Sequence, residues 1–259
     1  MPLEGKAIVL TGAAGGIGSL LARELSGAGA TVTGVDRIEC PDCAESLIAD
    51  LGSSDGLAAL TTELATRHVD ILINLAGIQY FGPFERQDPA AIWTGYIVNL
   101  VAPAMLMRAV VPQMLARGDG QLAAIGSVMG AVNYPHFAVY SSSKCGLRGL
   151  CEGLRREVAH SGVAVTYIAP RAVRTGFNDA TVNRFLDVAK MRADDPAVVA
   201  QRIARAIGER RKDVTIGGAE RFFTRLNGAF PRLVDAGLAG TTAKARRLFP
   251  DPDPRSSRR

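Results

Sequence analysis

Short apolar runs rich in β-branched residues alternate with longer amphipathic segments along most of the chain. Continuous apolar character over four to eight residues is typical of strands buried on both faces of a sheet. Such runs lie at residues 6–11, 31–35, 46–50, 69–73, 121–126, 163–168 and 213–216. The alternation predicts a single doubly wound α/β domain, in which a parallel sheet of about seven strands carries helices on both faces.

Composition supports a protein with its own core. The 259 residues are 47% hydrophobic, and the N-terminus shows no secretory signal. The most apolar long segment, residues 96–115, contains Asn99, Pro103, Arg108 and Pro112, which favours a buried helix over a membrane span. Four cysteines are too few for a disulfide framework, so a reducing, cytoplasmic location is expected.

Cys40 and Cys43 have the spacing of a metal or redox pair. A zinc site needs further ligands, and no second pair with this spacing occurs in the sequence. An ordinary loop is the favoured interpretation, and no metal site is expected.

The charge distribution argues against a nucleic-acid partner. Residues 1–216 hold 21 basic and 21 acidic side chains, so the net charge of +5 comes from the residues after them. A nucleic-acid-binding domain more usually carries its basic residues on a folded face with a recognisable motif, and no such motif is present.

The basic C-terminal region divides into two segments. Residues 218–248 place apolar residues at helical spacing among arginines, which predicts an amphipathic helical extension after a domain at residues 1–217. The extension could cover the sheet edge or a substrate cleft, which is favoured, or make weak contact with an anionic membrane surface. Residues 249–259 have the composition of a disordered basic tail.

A glycine-rich loop, "TGAAGGIG" at residues 11–18, follows the first predicted strand and precedes a helix. Its glycines allow a tight turn and close approach of the backbone to a phosphate, while the helix N-terminus favours negative charge. Asp36, at the end of the next strand, suits the ribose 2′-hydroxyl of NAD and opposes the 2′-phosphate of NADP. NAD is therefore the expected cofactor and NADP the less favoured one, although Arg37 stands beside Asp36.

Further motifs follow in a fixed order: "IADL" with Asp50, "NLAG" from Asn74, "IVNL" with Asn99, "IGSV" with Ser127, and "YSSSK" with Tyr140 and Lys144. Together with the glycine loop, they resemble the motifs of the short-chain dehydrogenases/reductases, a Rossmann-fold family, over about residues 5–217. The resemblance implies that Ser127, Tyr140, Lys144 and Asn99 are catalytic. It implies cofactor contacts from Gly12, Gly16, Ile17, Gly18, Asp36, Asp50, Asn74, Ala76, Gly77, Tyr140, Lys144, Pro170, Val173 and Thr175.

Tyr140 and Lys144 are one helical turn apart, so their side chains share a helix face. The attraction between an ammonium and a phenolate predicts that Lys144 lowers the pKa of Tyr140 and makes it a general acid/base. Ser127 would stabilise charge on the substrate oxygen, and the resemblance suggests that Asn99 anchors a proton-relaying water. Arg171 replaces a glycine that the family usually has, so either the loop differs or the arginine binds an anion in the cleft.

The expected function is hydride transfer between NAD(H) and a secondary alcohol or ketone. Apolar residues in segments 78–84, 129–137 and 176–191 favour a hydrophobic substrate, and His136 either lines that pocket or packs elsewhere. The alternative is a non-catalytic dinucleotide-binding redox sensor or scaffold. By resemblance, the helices containing Asn99 and Tyr140 would form a homodimer.

Overall fold

The computed structural model describes residues 3–249, without the side chain of Arg225. Its seven strands are Ala7–Thr11 (β1), Thr31–Asp36 (β2), Glu45–Ile48 (β3), Ile71–Asn74 (β4), Gly120–Ile125 (β5), Val163–Pro170 (β6) and Asp213–Ile216 (β7). They form one sheet in the order β3-β2-β1-β4-β5-β6-β7, and every neighbouring pair is parallel. The predicted seven-stranded parallel sheet is confirmed, with strand ends shifted by a few residues.

The helices are Gly18–Gly27 (α1), Ser54–Thr66 (α2), Pro89–Tyr96 (α3), Ala102–Arg117 (α4), Ala138–Glu157 (α5), Ala180–Val188 (α6), Pro196–Gly208 (α7), Gly218–Ala229 (α8) and Pro231–Arg246 (α9). α1 and α7 bury their apolar sides in one core cluster with alternate residues of β1. α2, α4 and α5 share the second cluster with Val9 of the same strand. Because successive strand residues point to opposite faces, the two clusters cover both faces of the sheet, as a doubly wound fold requires.

The strand order reverses beside β1, which has β2 on one side and β4 on the other. Thr11, the last residue of β1, pairs with Val35 of β2 and with Asn74 of β4. In open α/β sheets, ligands bind at the carboxyl ends of the strands at such a reversal. The glycine loop therefore begins, and Asp36 lies, at the place where this fold binds ligands.

The long apolar helix runs from Pro89 to Arg117 through α3, a π-helical turn at Ile97–Val101, and α4. By length and composition alone it is the one helix within residues 3–249 that could cross a membrane. A core helix passes the same test. Here Leu106, Val110 and Met114 are fully buried in the core cluster under α2 and α5, as the sequence predicted for a buried helix.

The C-terminal extension forms α8 and α9. α8 packs beside β7 and the short turn Val128–Gly130, and α9 contacts α6. Phe249 was predicted to begin a disordered tail, and this is wrong for that residue: its ring lies 5.1 Å from the ring of Phe81. The rest of the predicted tail, residues 250–259, lies outside the described residues.

All four cysteines are free thiols. Cys40 and Cys43 lie in the loop between β2 and β3 and pack against Gly34 of β2. A Cβ on Gly34 would lie 2.6 Å from Cys43 and 2.7 Å from Cys40, so no side chain would fit at that position. Over residues 3–249, no group of three or more His, Cys, Asp or Glu side chains is arranged to hold a metal ion.

Candidate active site

The glycine loop is held closely between two other loops. Gly12 has φ of +73°, and a Cβ there would lie 2.8 Å from the backbone of Ala76. A Cβ on Gly18 would lie 2.0 Å from the carbonyl oxygen of Gly12, and one on Gly16 would meet Thr175 at 3.0 Å. The loop therefore needs glycine for its left-handed turn and its close contacts, and Ile17 precedes the first residue of α1.

Asp36 stands at the end of β2 with both carboxylate oxygens engaged. Oδ2 accepts a hydrogen bond of 3.0 Å from the backbone N–H of Ala14, and Oδ1 accepts one of 2.8 Å from that of Arg37. The carboxylate is thereby fixed against the glycine loop at one end of a cleft of about 830 Å³. Asp50 borders the same end and accepts a hydrogen bond from the N–H of Gly52.

The loop after β4 forms the middle of the cleft. The hydroxyl of Thr11 accepts hydrogen bonds of 3.2 Å from the N–H groups of Leu75 and Ala76, which fixes this loop beside the glycine loop. Ala76 and Gly77 border the cleft as predicted, but Asn74 does not. Asn74 is 2% exposed, and its amide has no hydrogen-bond partner among the described residues, so its contact with the cofactor stays a prediction.

Ser127, Tyr140 and Lys144 meet at the other end of the cleft. Ser127 follows β5, where its Oγ accepts a 3.1 Å hydrogen bond from the N–H of Met129. Tyr140 and Lys144 lie in the first turns of α5, and Lys144 Nζ is 5.9 Å from the centre of the Tyr140 ring. Nζ donates a 3.1 Å hydrogen bond to the carbonyl oxygen of Ile125, which positions the ammonium beside the end of β5.

Burial dominates the electrostatics of this pair. It raises the pKa of Tyr140 to about 12, with the Ser127 hydroxyl acting in the opposite direction. Burial also lowers the pKa of Lys144 to about 8. The expectation that Lys144 lowers the Tyr140 pKa is thus wrong for this arrangement, because loss of hydration disfavours both charged forms.

Asn99 lies in the π-helical turn, behind Tyr140. Its amide accepts a 2.9 Å hydrogen bond from the N–H of Ile78 and donates one of 2.8 Å to the carbonyl of the same residue. It also donates to Ser143 Oγ at 3.1 Å. Asn99 therefore joins the β4 loop to α5, and it borders a second cavity of about 340 Å³ that Tyr140 also lines.

The loop after β6 brings Pro170, Val173 and Thr175 to the cleft. Arg171 is not among the described non-glycine residues with positive φ, so the arginine is not strained where the family usually has glycine. Its guanidinium contacts Asp194 at 2.6 Å and Glu220 at 3.2 Å. Two carboxylates thus already neutralise the arginine, which supports the loop-variant interpretation over a free anion-binding group.

The substrate end of the cleft is apolar. All three segments that the sequence singled out contribute lining residues: Ile78, Gln79, Met129, Phe137, Phe177, Asn178, Val182, Leu186 and Met191. Phe177 lies 6.1 Å from Tyr140, ring centre to ring centre. His136 does not border the cleft and packs against Phe249 at 5.3 Å, so of its two interpretations packing is the observed one.

Three residues that border or support the cleft were not identified from the sequence. Thr94 and Val98 border the cleft from the helix region that contains Asn99. Phe249 completes the aromatic cluster behind the substrate end, with Phe81, Phe137 and Phe185. In the sequence, the apolar pair Leu248 and Phe249 at the end of a polar segment could have indicated that Phe249 is packed.

These residues fit a nicotinamide dinucleotide. A fixed carboxylate stands at one end of the cleft, a glycine turn without room for side chains lies in the middle, and a buried Ser, Tyr and Lys stand at the other end. Their order along the cleft matches the order of a ribose, the pyrophosphate and the reacting nicotinamide in such a cofactor. The fold and site therefore define an NAD(P)-binding oxidoreductase of the Rossmann type.

Comparison with known proteins gives the family. The model of the short chain dehydrogenase family matches residues 6–184, and the chain belongs to this family. It is 34% identical over 213 residues to a 2,3-dihydroxy-2,3-dihydro-p-cumate dehydrogenase of Pseudomonas putida, a match that covers 74% of this chain and 82% of that enzyme.

Solved structures agree on the fold. A short-chain dehydrogenase from Streptomyces avermitilis superimposes with a TM-score of 0.75 at 27% identity, over 94% of this chain and 98% of the other. A short-chain dehydrogenase from Sphingobium yanoikuyae, solved in complex with NADPH, gives a TM-score of 0.75 at 26% identity, over 89% and 95% of the two chains.

Proposed function

We propose that this protein interconverts a hydrophobic secondary alcohol and its ketone, with NAD(H) as hydride carrier and Tyr140 as general acid/base. The observation that carries the proposal is the meeting of Ser127, Tyr140 and Lys144 at one end of a cleft whose other end holds Asp36. A protein that only bound the dinucleotide would need the glycine loop and Asp36, but not a buried phenol beside a serine and a lysine.

In the reducing direction, Tyr140 gives the proton. Its raised pKa keeps the phenol protonated at neutral pH, ready to donate to a ketone oxygen that becomes negative. The Ser127 hydroxyl stabilises the same oxygen by hydrogen bonding. In the oxidising direction the phenolate must form, and the ammonium of Lys144, 5.9 Å from the ring centre, would offset part of its charge, although burial of the pair outweighs this attraction.

The bound nicotinamide supplies the hydride or accepts it, while the chain's own residues hold the reacting groups. Lys144, which is fixed by its hydrogen bond to the carbonyl of Ile125, would hold the hydroxyls of the nicotinamide ribose. Pro170, Val173 and Thr175 border the cleft and would hold the nicotinamide there. Asn99 and the cavity that it shares with Tyr140 provide a place for a water through which the phenol exchanges its proton.

Preference for NAD follows from the carboxylate of Asp36. Its two hydrogen bonds to backbone N–H groups fix the carboxylate beside the glycine loop, where its charge would repel a 2′-phosphate. Arg37 also borders the cleft and is the group that would favour NADP. The fixed carboxylate decides the preference because it stands directly against the glycine loop.

We also propose a homodimer through α4 and α5. Val101, Met105 and Leu115 are partly exposed apolar side chains of this helix region, although α4 buries its opposite side in the core. Pairing with a second copy would remove them from water.

The test is NADH formation over a panel of apolar secondary alcohols of graded size, with NADP in parallel, for the wild type and Tyr140→Phe. Removing the phenol hydroxyl should lower kcat by about 10²-fold or more while the affinity for NADH, measured by its fluorescence, stays within about twofold. Activity retained in Tyr140→Phe would refute the assignment of Tyr140. Unchanged NADH binding with no turnover on alcohols or matching ketones would instead favour a redox sensor.

A further inference from the structure

The C-terminal extension presents large apolar side chains to solvent. Phe222, Phe223, Phe230 and Leu233 are 64%, 50%, 62% and 60% exposed. Phe222 and Phe223 lie in α8, Phe230 joins α8 to α9, and Leu233 lies in the first turn of α9. The rings of Phe222 and Phe223 touch edge to face with centres 5.9 Å apart. We refer to these four side chains as the outer apolar surface.

The exposure pattern of α8 is the reverse of the pattern expected for a helix that only covers a core. Two polar contacts join it to the domain: Glu220 pairs with Arg171 at 3.2 Å, and the Asn227 amide donates to the carbonyl of Ala131 at 2.8 Å. Leu226 is half-buried. An amphipathic helix that served only as a cover would bury its phenylalanines and expose its polar residues. Here Phe222 and Phe223 are exposed, so packing among residues 3–249 does not account for them.

The surroundings of the outer apolar surface are basic. Residues 218–249 contain six Lys and Arg against two acidic residues, and one of the two acids, Glu220, is already paired with Arg171. Arg221 and Arg232 are exposed, and they directly precede Phe222 and Leu233 in the sequence. Phenylalanines flanked by arginines are typical of helices that lie at the interface of an anionic lipid bilayer.

We propose that the outer apolar surface docks on an anionic membrane. A bilayer with anionic headgroups matches both features, because the phenyl rings enter the headgroup boundary while the arginines remain at the phosphates. A second copy of this chain fits less well, since a symmetric contact through the surface would bring Arg221 and Arg232 of both copies close together.

Docking would hold the substrate cleft near the lipid. α8 packs on the turn Val128–Gly130, and α9 contacts α6; Met129 of that turn and Leu186 of α6 both line the cleft. The two helices that carry the outer apolar surface therefore also contact elements that wall the cleft.

The experiment is sedimentation of the full chain with vesicles of phosphatidylcholine, alone or mixed with phosphatidylglycerol. Wild-type protein should bind the mixed vesicles and lose affinity as salt rises. Phe222→Ser combined with Phe223→Ser should weaken binding by about tenfold or more, and Arg221→Glu with Arg232→Glu should abolish the preference for anionic lipid. The matched control is Phe84→Ser with Arg202→Glu, an equally exposed phenylalanine and arginine outside the extension, which should bind like the wild type.

Turnover of a water-soluble alcohol distinguishes a failure of this proposal from a failure of the proposed function. The surface variants should keep wild-type turnover even where they lose vesicle binding. Absence of vesicle binding, or equal binding by the phenylalanine variant, would overturn the proposal. So would a fall in the oligomeric state of the phenylalanine variant by sedimentation velocity, because the surface would then be an interface between copies.

Discussion

Arg171 and Asp194 form an ion pair, with 2.6 Å between guanidinium Nη2 and carboxylate Oδ1, where the family usually has a glycine. The same guanidinium contacts Glu220 at 3.2 Å. Arg171 and Asp194 lie on either side of the segment 176–191 in the sequence, and Glu220 lies in α8. One side chain therefore closes the base of that segment and joins it to the C-terminal extension. This chain thus has both an arginine in place of the usual glycine and a C-terminal extension that the arginine holds through Glu220.

Replacing Arg171 with Ala should loosen this connection. Asp194 and Glu220 would remain half-buried without their cation, so we expect the free energy of unfolding to fall by about 1–2 kcal/mol. The KM for a large apolar substrate should rise more than kcat falls, because the segment carrying Phe177 and Leu186 is less well held. Urea unfolding and steady-state kinetics measure both effects.

Arg174→Ala is the matched control for that variant. Its ion pair with Asp195 is 3.2 Å long and exposed on both sides, so its loss should change stability by less than about 0.5 kcal/mol. Equal effects of the two substitutions would show that Arg171 acts only as a surface charge.

The sheet and the cofactor end of the site could be predicted because their signals are local. Runs of β-branched residues identify strands by themselves, and Asp36 follows from its position at a strand end after a glycine loop. The Arg171 contacts could not be predicted, since their partners lie 23 and 49 residues away in sequence. The spacing of Tyr140 and Lys144 gave their proximity but not their pKa shifts, which depend on burial by segments distant in the chain.

Asp36→Asn tests the cofactor preference without changing the shape of the side chain. The amide oxygen can still accept the hydrogen bond from Ala14, while the charge that opposes a 2′-phosphate is gone. We expect kcat/KM with NADP to rise by about tenfold relative to kcat/KM with NAD. A ratio that stays within twofold of the wild-type value would show that Asp36 does not set the preference.

Phe249→Ala tests the contact between the end of the extension and the substrate region. The ring packs on Phe81 and His136, behind the cleft residues Phe137 and Leu186. Its removal should cost about 1–2 kcal/mol of stability and reduce discrimination between large and small alcohols, since the apolar wall loses support. Phe230→Ala, which removes an exposed ring from the same extension, should leave both the stability and the discrimination unchanged.

Lys144→Met should make the protein inactive and, at neutral pH, more stable. The pKa of Lys144 is about 8 in the folded protein against 10.5 for the ordinary side chain. Below pH 8 the lysine is charged in both states, and keeping that charge buried costs about 3 kcal/mol. Between pH 8 and 10.5 the unfolded chain binds more protons than the folded one, so wild-type stability rises with pH and this cost disappears.

Met removes the cost of the buried charge but leaves the carbonyl of Ile125 without its donor, a loss of about 1 kcal/mol. The variant should therefore exceed the wild type by about 2 kcal/mol at pH 7 and by almost nothing at pH 10. Urea unfolding at the two pH values measures the difference, with Lys244→Met as the control because Lys244 is exposed and its replacement should change little at either pH. An advantage that persists at pH 10 would mean that Lys144 destabilises the fold through packing and not through its charge.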